Sequence, residues 1–305
     1  MVAKLDDINR IAVVGGGGSM GHGIVLACIQ GGPYEVIILS RKEETCQRGL
    51  QLIKEGPYGL SKAIARGKIT SEQASEMFSR VKTSTDYVEG LRDVDLVFES
   101  IIEDRELKKQ CFQEVEKHVP DHCIIASGTS AIMISEMAGG MRRLQNNLVG
   151  THWFFPSNIM RLVEVGYSEL TSEWAFLLTM DFLARIGKKP IRVKDSPGFF
   201  MTRFINTYIT EAIRLVELGI ASISDIDEMN KAGSGWPMGV FQFLDDTASF
   251  DAYYHAQIYL HETLGDRYMV PALARKVFEA GYIGNPQLKP GSKGGWYDFF
   301  GEAKK

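Results

Sequence analysis

The stretch IAVVGGGGSMGHGIVLACIQ, residues 11–30, decides the fold. It starts as a short apolar segment, passes through a run of glycines and continues with a helical pattern. A strand that leads through a glycine loop into a helix lets the backbone approach a pyrophosphate and directs the helix amides at it. The GxGxxG pattern alone is a weak signal, but this placement predicts the dinucleotide-binding site of a Rossmann fold.

The glycine run allows two assignments of the motif. Counting back from the end of the loop predicts these cofactor-binding residues: Gly16, Gly18, Ser19, Met20 and Gly21. Gly15 and Gly17 offer an alternative for the first two glycines, and the sequence leaves this choice open. His22 is interpreted as an ordinary first-turn residue and not as a ligand.

The end of the second predicted strand, residues 36–39, is where an acidic residue would bind the adenosine ribose of NAD. Here the chain reads Ser40-Arg41-Lys42. The missing carboxylate removes repulsion of a 2′-phosphate, and a hydroxyl with two cations can bind one. An NAD(P) cofactor is therefore expected, with NADP(H) favoured over NAD(H). The alternative is that Arg41 and Lys42 only begin a solvated helix.

The alternation of strands and helices continues to about residue 126. A long helix over residues 43–66 and a second one starting at Thr70 predict a helical-pair insertion around residues 43–80. Strands are predicted at 95–99 and 123–126, with a helix at 103–118 between them. This rhythm is typical of a parallel sheet built from βαβ units.

Hydroxyl side chains follow the strand that ends at residue 126, in the segment Ser127-Gly128-Thr129-Ser130. Open α/β sheets place their ligands at the carboxyl ends of strands, so a hydroxyl here can reach a substrate. The alternative is a serine N-cap for a helix over residues 131–138.

One histidine and one carboxylate stand out in GTHWFFPSNIMRLVEV, residues 150–165. His152 and Glu164 lie on two otherwise apolar strands joined by a Pro-Ser-Asn turn. A buried carboxylate needs a partner, and His152 is the titratable group close by in sequence. The pair predicts an oriented imidazole with a stabilised imidazolium, which is how a general base is built. A purely structural His–Glu pair is the competing interpretation.

Composition excludes several classes of protein. At 305 residues, 45% apolar and with a net charge of −4, the chain predicts two globular domains and no nucleic-acid partner. The four cysteines lack CxxC spacing, and His118 and His122 lack further ligands, so neither disulfides nor a metal site is expected. No apolar run approaches a bilayer span and no signal region is recognised, so a cytoplasmic location away from membranes is expected.

A turn-rich joint near residues 194–198 predicts the domain boundary, with domains at 1–194 and 195–305. Beyond the joint the helical period dominates, with helices predicted at these ranges: 199–218, 224–231, 247–264 and 271–280. The predicted fold class is α/β: a doubly wound, mostly parallel Rossmann-like sheet followed by an all-helical domain. The apolar content of these helices also predicts a homodimer formed through them.

Seven motifs in order resemble those of the L-3-hydroxyacyl-CoA dehydrogenase family, over nearly the whole chain. They are GGGGSMGHGI, FESIIEDRELKK, ASGTSA, HWFFPSNIMRLVEV, KDSPGFFMTR, AGSGWPMGVFQFLD and GGWYDFF. The resemblance implies that His152 is the base, Glu164 its partner and Ser130 a hydroxyl at the substrate oxygen, with Glu103 and Lys108 on the cofactor side. It also implies a homodimer and a place in fatty acid metabolism.

The chain departs from this family at positions near the substrate. Three asparagines of the family are replaced here, by Gly128, Phe155 and Thr202, and a CoA-binding serine falls on Gly59. Arg66 keeps a cation near that serine. Phe155, Thr202 and Arg66 are accordingly the predicted substrate residues, and Phe155 makes the wall near the base bulkier and more apolar.

Three functions are therefore weighed. The leading hypothesis is an NAD(P)-dependent oxidoreductase that interconverts a 3-hydroxyacyl-CoA, or a related 3-hydroxy compound, and its keto form. A narrower rival is a dehydrogenase of a hydroxy acid or ring alcohol that carries no CoA. The rival from another class is a dinucleotide-binding sensor or structural protein with little turnover.

Overall fold

The computed structural model describes residues 4–304 as two compact units. The first unit ends at Ser196 and the second begins at Pro197, two residues beyond the boundary expected from the sequence. Within residues 4–304 there is no helix with both the length and the apolar character needed to cross a bilayer.

The first unit is organised by an eight-stranded sheet with the order β3-β2-β1-β4-β5-β6-β7-β8. Its strands are β1 (Arg10–Val14), β2 (Glu35–Leu39), β3 (Val81–Ser84), β4 (Leu96–Glu99), β5 (Ile124–Ser127), β6 (Leu148–Trp153), β7 (Leu162–Tyr167) and β8 (Lys189–Lys194). Strands β1 to β6 run parallel, β7 is antiparallel to β6, and β8 is parallel to β7.

Eight helices connect and cover these strands. They are α1 (Gly21–Gly31), α2 (Glu43–Glu55), α3 (Leu60–Ala65), α4 (Ser71–Ser79), α5 (Tyr87–Leu91), α6 (Arg105–His118), α7 (Ile134–Ala138) and α8 (Glu173–Arg185). Because β2 and β4 flank β1 on opposite sides, the strand order reverses direction between β1 and β4. A ligand is expected in the crevice at the carboxyl ends of strands at such a switch point. The predicted doubly wound fold class is confirmed.

The predicted single helix over residues 43–66 is wrong. The structure ends α2 at Glu55 and begins α3 at Leu60. Gly56 leaves helical geometry with ψ 170°, and Pro57 lacks the N–H that a continuing helix needs. The start of the next helix is correct, since the Thr70 side chain accepts a hydrogen bond from the Gln73 amide of α4.

The second unit is helical, as predicted. Its helices are α9 (Met201–Glu217), α10 (Ile223–Ser234), α11 (Val240–Asp246), α12 (Phe250–Leu264), α13 (Ala272–Glu279) and α14 (Trp296–Phe300). The sequence reading missed α11 and α14, which are short and follow glycines. It also started α12 three residues early, at residue 247 instead of Phe250.

Two buried aspartates explain the short helices that were missed. Asp227 accepts from the Phe241 and Gln242 amides at 2.8 and 2.7 Å, at the start of α11. Asp245 accepts from the Trp296 and Tyr297 amides at 2.7 and 3.1 Å, at the start of α14. Each helix therefore begins where a distant carboxylate satisfies its first amides, which no local pattern reveals.

Candidate active site

The glycine loop between β1 and α1 has little room for side chains at three positions. A Cβ at Gly15 would lie 2.5 Å from the Ser100 carbonyl oxygen, and one at Gly17 would lie 2.0 Å from that of Thr45. Gly21 is similarly restricted, at 2.4 Å from the Gly15 oxygen. Gly15 also has φ +81°, which L side chains rarely adopt.

Gly16 and Gly18 are less constrained, at 3.0 and 3.2 Å from their nearest neighbours. The steric requirement therefore falls on Gly15, Gly17 and Gly21, which was the alternative frame of the motif.

The loop suits a pyrophosphate. In the described part of the chain, the Ser19 and Met20 amides have no protein acceptor, and they lie directly before the first turn of α1. Such amides at a helix start bind anions. His22 is more than an ordinary first-turn residue, because it is buried and its Nδ1 lies 2.8 Å from the Gly18 carbonyl oxygen, bracing the loop. The residues present thus fit a dinucleotide.

Ser40 and Arg41 lie at the carboxyl end of β2. The Ser40 amide donates to the Ser84 carbonyl at 3.2 Å, and α2 begins only at Glu43. Burial raises the pKa of the Tyr87 phenol to about 12, and the positive charge of Arg41 acts in the opposite direction. Arg41 directly follows Ser40, at the edge where an adenosine ribose would bind.

His152 and Glu164 face each other across the antiparallel pair of β6 and β7. His152 Nδ1 lies 2.7 Å from Glu164 Oε2, and the two residues are only 6% and 2% exposed. The hydrogen bond fixes the ring orientation and assigns Nδ1 to the carboxylate, so Nε2 is the nitrogen that faces away from Glu164. The burial of Glu164 that the sequence predicts is confirmed.

Ser130 lies in the loop after β5, next to the strand that carries His152. Ser127 of β5 pairs with Gly150 of β6, so the loop and His152 are both at the carboxyl edge. Glu103 Oε1 holds this loop, because it accepts from Thr129 Oγ1 at 2.6 Å and from the Ser130 and Ala131 amides at 2.8 and 2.9 Å.

The helix predicted over residues 131–138 is shorter in the structure. Helix α7 begins at Ile134, and Asp195 caps it by accepting from the Ile134 and Ser135 amides at 2.7 and 2.9 Å. Asp195 was read as part of the interdomain joint, and its capping role depends on a contact sixty residues distant in sequence.

An ionic network of two buried residues, Glu99 and Lys108, and the partly buried Glu103 supports the Ser130 loop. Lys108 Nζ lies 2.7 Å from Glu99 Oε1 and 3.3 Å from Glu103 Oε2. Burial opposes the charge of Lys108, but both carboxylates together raise its pKa, while Lys108 and the loop donors lower the pKa of Glu103 despite its desolvation. Ser127 Oγ donates to Glu99 Oε2 at 2.9 Å, which joins β4 and β5 to the network.

Direct cofactor contact by Glu103 and Lys108 stays a prediction, since the contacts seen are with this loop and network. Glu99 was missed by the sequence reading. A glutamate at the end of a buried apolar strand, DLVFE, was the signal that could have identified it.

The positions that depart from the family pattern are sterically closed. A Cβ at Gly128 would lie 2.4 Å from the Glu99 carbonyl oxygen, and one at Gly59 would lie 2.7 Å from that of Ile53. Phe155 packs edge-on against Tyr58, with ring centroids 5.6 Å apart. Tyr58 was not singled out from the sequence, although it directly precedes Gly59.

The two remaining predicted substrate residues are placed differently. Arg66 is exposed at the end of α3. Thr202 is 8% exposed in the first turn of α9, in the second unit.

His118 and His122, which precede β5 at the opposite edge of the sheet, have carboxylate partners. His118 Nε2 lies 2.8 Å from Glu114 within α6, the helix predicted over residues 103–118. His122 lies 3.1 Å from Asp95. Across residues 4–304 no group of three or more potential ligands could hold a metal ion.

A doubly wound sheet with a glycine loop at its switch point, and a buried His–Glu pair at the same edge, define a dinucleotide-dependent oxidoreductase. A family model described as the NAD-binding domain of 3-hydroxyacyl-CoA dehydrogenase matches residues 10–196, and a model of that enzyme's C-terminal domain matches residues 198–294. The chain belongs to the 3-hydroxyacyl-CoA dehydrogenase family.

Individual relatives agree with this assignment. The chain is 36% identical over 249 residues to the mitochondrial hydroxyacyl-coenzyme A dehydrogenase of Rattus norvegicus, covering 80% of this chain and 78% of the relative. It is 32% identical over 291 residues to the 3-hydroxybutyryl-CoA dehydrogenase of Clostridioides difficile, covering 95% and 99%. The crystal structure of (S)-3-hydroxybutyryl-CoA dehydrogenase from Ralstonia eutropha has a TM-score of 0.81 at 30% identity, covering 92% and 96%.

Proposed function

We propose that this oxidoreductase interconverts a 3-hydroxyacyl-CoA and its 3-keto form, with His152 as the general base. The observation that carries the proposal is the 2.7 Å contact between His152 Nδ1 and Glu164 Oε2 at the carboxyl edge of the sheet. The names of the relatives from Rattus norvegicus and Clostridioides difficile support the substrate class.

The chemistry of the residues follows from their placement. The dinucleotide, when bound, accepts or returns the hydride of the substrate carbon. His152 takes the hydroxyl proton on Nε2, because Nδ1 is engaged by Glu164. Glu164 stabilises the imidazolium that forms, and the Ser130 hydroxyl donates to the substrate oxygen. In the reverse direction His152 returns the proton to the keto oxygen.

His152→Asn tests this role. Turnover of acetoacetyl-CoA should fall steeply while the dinucleotide still binds, since the imidazole acts on the substrate proton alone. A variant that retained most of the wild-type turnover would overturn the proposal. It would also favour the low-turnover dinucleotide-binding protein considered from the sequence.

For the cofactor we propose a preference for NADP(H) over NAD(H). Ser40 and Arg41 follow the end of β2, where a carboxylate would bind the ribose of NAD, and no carboxylate stands there. The measurement is kcat/KM with both cofactors for the wild type and Arg41→Ala. The variant should lose efficiency with NADPH and keep it with NADH. An NADH preference that Arg41→Ala leaves unchanged would contradict the proposal.

A second candidate function is a dehydrogenase of a hydroxy acid or ring alcohol without CoA. The observation that favours it is the backbone packing at Gly59 and Gly128, which leaves no room for the serine and asparagine of the family pattern. The aromatic pair of Tyr58 and Phe155 adds apolar surface next to Gly59 in the chain. A panel of acetoacetyl-CoA, acetoacetate and cyclic ketones separates the two candidates by kcat/KM.

We also propose a homodimer formed through the helices of the second unit. Several large apolar side chains there are strongly exposed: Phe200, Phe204, Leu218, Ile220 and Met229. Exposed apolar surface of this extent is typical of an interface. Sedimentation velocity at micromolar concentration tests it, and a monomer would contradict it. The cytoplasmic location stays a prediction from the sequence.

A further inference from the structure

The segment that follows His152, residues 154–160, is fastened to three other parts of the first unit. Ser157 Oγ donates to the Met20 carbonyl at 3.1 Å, next to the glycine loop. Asn158 Nδ2 donates to the Tyr58 carbonyl at 3.0 Å, in the helical insertion. The third fastening is Lys188, whose side chain reaches this segment from the start of β8. We call residues 154–160 the post-base turn.

Lys188 is buried and its charge faces carbonyl oxygens. Its Nζ donates to the Ser157 carbonyl at 2.6 Å and to the Met160 carbonyl at 3.0 Å, so two oxygens of the post-base turn converge on one ammonium group. The Nζ also lies 5.5 Å from the centre of the Trp153 ring. Among the residues described, no carboxylate lies within ion-pair distance of it.

A buried ammonium without a carboxylate is costly. Burial lowers the pKa of Lys188 to about 8, which is the direction expected when the charged form loses water. An apolar side chain at this position would avoid that cost but would leave both carbonyls without their donor. We attribute this cost to the hydrogen bonds that the Lys188 ammonium donates to the post-base turn.

Small displacements of the post-base turn would change the position of His152, the proposed base. It continues directly from the strand that ends at Trp153, one residue after His152, and it carries Phe155. A shift of the Ser157 carbonyl is transmitted through four bonded residues to His152. Misplacement of a reacting group by about 1 Å can cost on the order of a hundredfold in rate.

We propose that Lys188 is a positioning residue that fixes the post-base turn, and through it the placement of His152 and Phe155. Lys188 itself touches neither substrate nor cofactor in this role. The proposal rests on the proposed function of His152 and extends it to a residue that directly precedes β8.

The test compares Lys188→Met with the matched control Lys189→Met, since Lys189 is the exposed neighbour on β8. In Lys188→Met we expect kcat with acetoacetyl-CoA to fall about tenfold to a hundredfold and KM to rise, because the base and the Phe155 wall both move. The dissociation constant for NADPH or NADH, from fluorescence titration, should stay within about threefold because Lys188 makes no contact with the glycine loop and the substitution keeps Ser157. Lys189→Met should match the wild type.

A second measurement does not depend on activity. Amide hydrogen exchange of the peptide covering residues 154–161 should be faster in Lys188→Met than in Lys189→Met, while the β1 and β4 peptides stay protected. Unchanged exchange in this peptide would overturn the proposal whatever the kinetics. Faster exchange with unchanged kcat and KM would overturn the positioning role.

If Lys188→Met fails to fold, Lys188→Arg and Ser157→Ala replace it. Arginine keeps charge and donors, so it should recover most of kcat, and Ser157→Ala should loosen the turn at its contact with Met20. Failure of the arginine variant to exceed Lys188→Gln in kcat would count against the proposal. A failure of the proposed function is distinguished by His152→Asn, which would then retain activity while the exchange result still stands.

Discussion

Two pairs of buried carboxylates, one pair in each unit, are stabilised in different ways. At the carboxyl edge of the first unit, Glu99 contacts Lys108 at 2.7 Å and Glu164 contacts His152 at 2.7 Å. In the second unit, Asp227 and Asp245 instead accept backbone amides at the starts of α11 and α14. Desolvation accordingly raises the pKa of Asp245 to about 6, while the pKa of Glu103 in the first unit is lowered.

The two kinds of carboxylate partner have different consequences for function. Helix amides stabilise a carboxylate with fixed partial charges and cannot exchange protons with it. A histidine partner can gain or lose a proton during the reaction. A lysine partner keeps its charge and helps to hold a loop in place. The carboxylates bound by helix amides start two helices of the second unit. The carboxylates paired with histidine or lysine lie around Ser130 and His152.

The largest effect is expected from removing the titratable partner. His152→Asn should lower kcat by roughly 10²- to 10⁴-fold, the usual contribution of a general base, and leave the NADPH dissociation constant nearly unchanged. His122→Asn is the matched control, since His122 pairs with Asp95 outside the His–Glu pair. Steady-state kinetics and fluorescence titration measure the two quantities. Equal kcat in both variants would make the His–Glu pair structural.

Replacing Lys108, the buried cation beside Glu99, should mainly lower the free energy of unfolding. Lys108→Met leaves the Glu99 carboxylate buried without its cation, which costs about 3–5 kcal/mol in the free energy of unfolding. Urea denaturation of this variant and of Lys109→Met measures the difference, because Lys109 is the more exposed neighbour on α6. A loss below about 1 kcal/mol would mean that the amide and hydroxyl donors alone satisfy Glu99.

Asp245, whose carboxylate accepts backbone amides, should make the free energy of unfolding fall as the pH rises. Because the folded pKa of Asp245 is about 6 and its ordinary value is 3.8, the folded state binds this proton more tightly than the unfolded state. The resulting stability is fully present below pH 3.8 and is lost as the pH rises through 6. The loss in the wild type should be roughly 2–3 kcal/mol.

Asp245→Asn should flatten this dependence even though it weakens the cap of α14. The quantity to compare is the change in unfolding free energy between pH 4 and pH 7, relative to Asp246→Asn, which alters the adjacent aspartate. A wild-type slope that persists in Asp245→Asn would assign the dependence to other groups.

The smallest effect is expected from replacing Glu164 with glutamine, a neutral side chain of the same shape. Glu164→Gln can still accept from His152 Nδ1 but cannot stabilise the imidazolium, so kcat should fall about tenfold. Glu169→Gln, at an exposed carboxylate, is the control. A kcat for Glu164→Gln equal to that of the control would contradict the assigned role of Glu164.

Much of the first unit was predictable from local pattern. Each of the strands predicted in the first unit is found within two residues, because buried parallel strands read as short apolar runs between glycine and polar turns. The His152–Glu164 pair was predictable because a tight turn joins their strands. The break at Gly56 and Pro57 was visible too, and the prediction of one continuous helix gave too little weight to the missing N–H of proline.

The sequence alone determined the glycine loop and its helix, the fold class, the His–Glu pair and the family, since these depend on residues close together along the chain. The tertiary structure decided which glycines have no room for a side chain. It also assigned the caps of α7, α11 and α14, and it brought Lys108 and Lys188 to their carboxylate and carbonyl partners. The physical reason is the same in each case: a buried polar group must meet a partner, and that partner comes from a distant segment which only folding places beside it.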